Sequence, residues 1–428
     1  MPKIAARRTP TSPFWIMALL STAVLINYVD RGSLGLAVPL IKAEFHLGDQ
    51  ALGWLLSAFS ITYVLAMTPV GWLADRYGAH RVLAGGLAIW SIATLLTGFA
   101  AGLIPLLLLR LLLGVGESTA FPCSSKLIAG QVTPARIGMA NGVLAFGYLV
   151  GPALGTWVGG HVMDAHGWRP MFWLFGGLSL LWLLPWSRVV VHEQVTTPSA
   201  DVVAAGADEE VPTIRQILRE PGLWGASLGH FTANYTYYFI LNWLPDYLVE
   251  SRGYSIARMA DVVSKGYLIN AASALLMGWL ADRWIRGGRS ADLVYKGTMG
   301  ISHLGTIGCM AGIVLLPEQQ SIACLYGYLV LCGIASPGVF AIPQILAGPA
   351  AAGRWVGIQN SWGNVAGIVA PSITGILLAM SGRSFVSAFV LAGIVNLLGF
   401  VGWVFILPKI APIRWNRSRA GAPGHAAS

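Results

Sequence analysis

Apolar segments of about 20 to 30 residues follow one another from Phe14 to Pro408, separated by short gaps rich in Gly, Pro and charge. Each is long enough to cross a hydrocarbon core of about 30 Å as a helix. Lipid offers backbone groups no partners, so only helices and closed barrels span it. The runs are continuous rather than alternating in hydropathy, which selects helices over a barrel. Charged residues make up only 11% of the chain, against about 25% in soluble domains. The expected fold class is an all-α membrane protein.

Twelve candidate spans result, at 14–41, 51–74, 79–99, 102–130, 135–162, 168–190, 221–249, 257–282, 293–316, 320–347, 353–380 and 384–408. Between the sixth and seventh lies the only long polar stretch, with Asp201, Asp208, Glu209, Glu210 and two prolines. It reads as a flexible cytoplasmic linker at 191–219 between an N-terminal half (1–190) and a C-terminal half (220–428), six helices each. Apolar character runs from Phe14 past Asp30 to Leu40 without a small-residue cleavage site, so no cleavable leader is expected. Cys123, Cys309, Cys324 and Cys332 all fall in spans and read as small apolar residues, not as disulfides or metal ligands.

The net charge of +9 is an orientation signal. With the N-terminus inside, 18 of the 27 Lys and Arg fall in cytoplasmic segments, Arg76, Arg81, Arg283, Arg286 and Arg354 among them. Only Lys42, Arg169, Arg252, Arg258 and Arg383 fall outside. That asymmetry sets both termini in the cytoplasm, and nucleic acid is not implied.

Four basic residues remain inside spans: Arg31, Arg110, Lys126 and Lys265. Of 18 acids, only Asp30 and Glu117 sit deep in one. Arg110 and Glu117 are seven residues apart in LIPLLLLRLLLGVGESTAFP, so a helix brings both to nearly one face. A charge at bilayer depth costs roughly 2.5–3.5 kcal/mol on insertion scales and therefore faces a partner or a water-filled cavity. Either a structural ion pair between helices or a polar path through the protein satisfies that rule. Gly114 and Gly116 beside Glu117 thin the helix and are expected to let it bend.

GWLADR occurs twice, at Gly71–Arg76 and Gly278–Arg283, each time at the end of the second span of its half. Two parallel six-helix repeats are a transporter architecture with the substrate site at their interface near mid-membrane. Asp75, Arg76, Asp282 and Arg283 are expected to pair or cap helix ends, in a structural or gating role.

The twelve spans, the two halves and GWLADRYGAHR together resemble the major facilitator superfamily, with His80 at a usually basic motif position. INYVDRGSLGLAVPLI, SAFSITYVLAMTPVGWLADR and LRLLLGVGESTAFP further resemble the anion:cation symporter family. Its members include bacterial proton-coupled carriers of sugar acids such as galactonate, glucarate and hexuronates, and of tartrate and phthalate. The resemblance implies proton-coupling roles for Asp30 and Glu117, with capture of the substrate carboxylate by Arg31. A buried carboxylate is also what proton coupling needs chemically, and the Arg fork matches a carboxylate with two hydrogen bonds. Permanently ionised salt-bridge acids are the alternative for Asp30 and Glu117.

Arg110 pairs with an acid, shares the anion or is purely structural. Tyr28, Tyr63 and Asn360 match cavity positions of the family, and Asn364 shares the face of Asn360. Interhelical amide bonding is the alternative for both asparagines. Tyr238, in a seventh span rich in aromatics, is assigned to the cavity. Tyr148 stands where some sugar-acid carriers have an amide. Lys265 departs from the pattern, and either snorkels outward or offers a second anion contact. His230 and His303 read as packing residues or proton relays.

The expectation is a monomeric inner-membrane symporter moving a small organic anion inward, with protons as coupling ion and no other cofactor. A proton-driven exporter of drugs or other small molecules is the alternative. A transporter-like sensor or a membrane enzyme lacks support, since no catalytic constellation is present.

Overall fold

The computed structural model describes residues 12–131, 137–189, 212–413 and 415, and every regular element among them is helical. The first part comprises α1 (Pro13–Phe45), α2 (Asp49–Tyr77), α3 (Ala79–Thr97), α4 (Leu103–Glu117), α5 (Ala120–Gln131), α6 (Ile137–His166), α7 (Trp168–Leu181) and α8 (Leu183–Trp186). The second comprises α9 (Ile214–Leu218), α10 (Pro221–Asp246), α11 (Ile256–Arg286), α12 (Ala291–Leu315), α13 (Glu318–Met380) and α14 (Val386–Val401). The long α13 is two arms, Glu318–Gly348 and Ala351–Met380. They meet at Gly348, whose φ of 68° and ψ of 173° leave no room for a side chain without strain.

Nine helical segments among the described residues are long and apolar enough to cross a membrane. The other three expected spans are helical as well. They are α7 with α8, interrupted at Trp182, and the 26-residue α10 and 31-residue α11. α10 carries His230, Asn234 and Asn242, and α11 carries Arg258, Asp261 and Lys265, which lowers their hydropathy. The stretch expected as a flexible linker is described only from Pro212 onward, and there it is folded. Thr213 and Gln216 cap α9 reciprocally, and Ile217 is fully buried. The outer surface is studded with exposed leucines and isoleucines such as Leu65, Ile104, Leu108, Leu275 and Leu315, as contact with lipid tails requires.

Buried side chains form one shared core at one end and two separate cores at the other, with a small cluster of Leu149, Ala271 and Ala274 joining α6 to α11. The shared core joins Leu34, Ile41 and Leu52 of the first half to Phe239, Trp243 and Leu378 of the second. Towards the end carrying Arg76, Arg283 and Arg354, the cytoplasmic end by charge count, the cores divide. Ile16, Leu20, Val24 and Trp90 pack in one, and Ile217, Met299, Ile342 and Trp355 in the other. The molecule is closed outside and split inside.

Small residues allow the outer closure. A β-carbon on Gly35 of α1 would lie 2.7 Å from the Leu241 carbonyl of α10, and one on Gly53 of α2 2.8 Å from that of Pro371 in α13. Ser57 donates to the Ile368 carbonyl at 2.7 Å and lies 2.7 Å from the Ser372 hydroxyl. Outside this layer Arg383, in the turn after α13, binds three acids. Its Nη2 is 2.6 Å from Asp246 Oδ2, its Nη1 3.1 Å from Glu250 Oε2 and its Nε 3.4 Å from Asp49 Oδ1. Asp49 belongs to the first half and also meets Lys42 Nζ at 3.3 Å. Arg383 therefore latches the halves together, and Asp246, fully buried, would be left without its cation if the latch lost its arginine.

Arg383→Gln is expected to weaken outer closure by about 2 kcal/mol, raising the open fraction more than 10-fold. Native Cys332 lines the central cavity. With Cys123, Cys309 and Cys324 replaced by serine, its labelling by an impermeant thiol reagent from outside should rise accordingly. Unchanged labelling would show that Arg383 does not hold the halves closed.

Candidate functional site

Between the divided cores lies a cavity of about 760 Å³. Its lining runs from Arg31, Tyr63 and Tyr267 at mid-helix to Ser125, Leu144, Gln344 and Val356 near the cytoplasmic end. One turn of α1 supplies its charge. Asn27 and Arg31 are four residues apart and share a face, so Asn27 Oδ1 accepts from Arg31 Nη2 at 3.2 Å. Arg31 Nε and Nη2 each lie 3.0 Å from Glu117 Oε2. Rings enclose the guanidinium, their centroids 4.8 Å (Tyr28), 5.0 Å (Phe59) and 4.7 Å (Tyr63) from its Cζ. Such cation–π contacts favour the cation in a site where water is scarce.

Asp30, the next residue back, turns away from the cavity. It is fully buried, its Oδ2 accepts from Ser179 Oγ at 3.2 Å, and its Oδ1 has no hydrogen-bond partner among the described residues. Glu117 is equally buried, with Oε1 likewise unpartnered. Buried Arg110 interacts electrostatically with both acids. The cluster thus contains two carboxyl groups and two guanidiniums. Of these four residues only Arg31 lines the cavity.

Glu117 owes its position to close helix packing. A β-carbon on Gly116 would lie 2.7 Å from Trp90 N and 2.8 Å from the Gly86 carbonyl, both on α3. One on Gly114 would meet the Phe59 carbonyl and Tyr63 N of α2. The two glycines therefore serve close approach on both sides. The helix is interrupted just beyond, at Ser118 and Thr119, whose hydroxyls bond the Val115 and Gly116 carbonyls at 2.7 and 2.8 Å. α4 and α5 nevertheless form one candidate span, Leu103–Ile128, as expected.

A sequence model of the Major Facilitator Superfamily matches residues 20–371. The chain belongs to the major facilitator superfamily. It is similar to the D-galactonate transporter of Escherichia coli O6:H1, 28% identical over 92% of this chain and 95% of that one. It is also similar to the hexuronate transporter of Bacillus subtilis, 28% identical over 95% and 96% of the two chains. Among solved structures, a bacterial homologue of the human lysosomal transporter Spinster, crystallised in an inward-facing and occupied conformation, superposes with a TM-score of 0.74. That match covers 94% of this chain and 95% of the other at 18% identity, a likeness of fold. This chain is accordingly a multi-pass major facilitator transporter and not an enzyme.

Within this major facilitator fold, Tyr28, Tyr63, Tyr148, Tyr238, Asn360 and Asn364 all line the cavity. Tyr238 donates to Asn364 Oδ1 at 3.0 Å, and Asn364 Nδ2 to the Asn360 carbonyl at 2.9 Å. Lys265 and Arg110, each expected either at the anion or away from it, are not among the lining residues. Lys265 points outward and is exposed, because the cavity face of α11 is the one carrying Tyr267 and Asn270. Arg110 lies behind Glu117 rather than at the cavity wall. In the repeated loop motif, Arg76 lies over the Trp72 ring at 5.3 Å and Arg283 over Trp279 at 5.7 Å. Asp282 is exposed, its backbone carbonyl accepting from Arg286 Nε at 3.2 Å, and the side chain of Asp75 lies outside the described residues. Sequence reasoning missed Asn27, Phe59 and Ser179. The i, i+4 spacing of Asn27 to Arg31 was a usable signal, whereas Ser179 reaches Asp30 from a helix 149 residues away.

Gly116→Ala is expected to lower thermal stability in detergent by the equivalent of about 1–3 kcal/mol through overpacking. Val115→Ala, at an exposed neighbouring position, should change it little. Equal losses in the two variants would show that the α3–α4 contact is not tight.

Proposed function

We propose that this transporter is a proton-coupled symporter that takes up a small organic anion, a sugar acid or related carboxylate, across a bacterial plasma membrane. The observation that carries this reading is that one guanidinium, Arg31, both faces the cavity and holds buried Glu117. The names of the galactonate and hexuronate transporters supply the substrate class.

The cycle follows from that sharing. From the outside, Asp30 and Glu117 take up protons. A neutral Glu117 releases Arg31, which then binds the incoming carboxylate through its planar fork. Tyr28, Tyr63 and Tyr148 hold the substrate body from the first half, and Tyr238, Asn360 and Asn364 from the second. The halves rock about the site, opening the Arg383 latch and the cytoplasmic mouth in turn. Inside, deprotonated Glu117 reclaims Arg31 and displaces the anion. The Arg31–Glu117 pair in an inward-open cavity matches the state after release. Asp30, in contact with Ser179 and near Arg110, serves as a second proton site, and Arg110 keeps both acids within a charge-balanced cluster. Asp75, Arg76, Asp282 and Arg283 act in the cytoplasmic gate. Each chain holds its own cavity and works as a monomer.

The test is uptake into proteoliposomes under an inward proton gradient, with labelled D-galactonate, D-glucuronate and benzoate offered separately. Accumulation of an acid above equilibrium, reduced at least 100-fold in Arg31→Ala and abolished in Glu117→Gln, is the expected result. Normal accumulation by Arg31→Ala, or proton-driven extrusion of cations instead of acid uptake, would overturn it.

A further inference from the structure

Among the described residues the cavity wall carries one permanent positive charge: of those that line it Arg31 is the only Arg or Lys, and none is Asp or Glu. The other described intramembrane cations are not among the lining residues: Lys265 is exposed outward, Arg110 is buried beside the acids, and Lys126 Nζ donates to the Ala74 carbonyl at 2.8 Å. Two imidazoles remain. His303 is engaged on both sides, its Nδ1 with the Met299 carbonyl at 2.9 Å and its Nε2 with Thr232 Oγ1 at 3.4 Å. His230 packs edge-on to the Phe340 ring at 5.8 Å, with no lining carboxylate beside it to hold a charge.

Beside Arg31 the wall is aromatic. Tyr28, Phe121 and Tyr148, from α1, α5 and α6, form a three-ring cluster with centroids 5.9–6.5 Å apart. Tyr237, Tyr238 and Tyr267 contribute to the lining from the second half. Ring faces of this kind favour a flat ring body. Part of the amide capacity, by contrast, is spent within the protein. Asn234, Asn270, Asn364 and Asn396 each direct an amide N–H to a protein acceptor, at 2.6–3.1 Å.

We propose, on the basis of the anion-symport reading above, that the cavity selects a monocarboxylate built on a ring, with its one carboxylate on Arg31 and its ring against the tyrosine wall. A second carboxylate on the same ring would be buried without a cation, and its binding should weaken at least about 30-fold. An open-chain polyol acid has one carboxylate too, but it forgoes the ring contacts.

The experiment is ligand titration of the purified full-length transporter, read as thermal stabilisation, with benzoate, 4-hydroxybenzoate, terephthalate, D-galactonate and galactarate. Arg31→Ala is measured alongside. Saturation by benzoate or 4-hydroxybenzoate at concentrations at least 30-fold below terephthalate and below D-galactonate, lost in Arg31→Ala, is expected. Terephthalate or galactarate binding as tightly as benzoate, through Arg31, would overturn the single-charge selection and leave anion symport standing. D-Galactonate binding more tightly than the ring acids, again through Arg31, would overturn the ring preference alone. Binding of no acid, or binding indifferent to Arg31→Ala, would overturn both this inference and the symport reading beneath it.

Discussion

The structure depends on how one arginine is shared. Arg31 has two natural partners, the Glu117 carboxylate at its back and any anion in the cavity at its front. A guanidinium buried in a membrane protein is costly unless matched, and three aromatic rings, Asn27 and Glu117 supply the match. Any change in the charge of Glu117 alters what Arg31 can bind. In the proposed cycle this couples a proton to an anion with no long pathway, only competition for one fork of N–H groups.

The rest of the fold serves to hold this cluster at the hinge. One apolar core spans both halves on the outer side, and two cores diverge on the inner side. The cluster joins α1 to α4, and α1 touches the second half through Gly35. The outer seal combines backbone-close packing at Gly35 and Gly53 with the Arg383 latch. The first element resists gradual opening, because packed helices slip between discrete arrangements rather than stretching. The second makes closure depend on a few charges at the membrane surface.

Much of this was legible in the residues. Apolar run length gave the helices, the basic-residue asymmetry gave the orientation, and the GWLADR repeat gave the two halves. Asp30, Arg31 and Glu117 stood out because charge deep in an apolar run is expensive and therefore purposeful. Other features were hidden for physical reasons. Arg383 reads as one outer basic residue among five, since its three acids come from α2, α10 and the turn beyond it. Lys265 and Arg31 look alike in sequence, both cations within spans, and only helix rotation separates the exposed one from the buried one. The roles of Gly114 and Gly116 depend on which helices flank α4, which local sequence does not encode.

Proton exchange upon anion binding tests the shared-arginine account most directly. The purified transporter, in weakly buffered detergent solution near neutral pH with an indicator dye, would be mixed with the acid it carries, supplied as its sodium salt. Binding draws Arg31 from Glu117, so the wild type should take up about one proton per anion bound. Glu117→Gln should bind the anion with little or no proton uptake. Anion binding by the wild type without proton exchange, or equal proton uptake by Glu117→Gln, would contradict the claim that Arg31 couples the two.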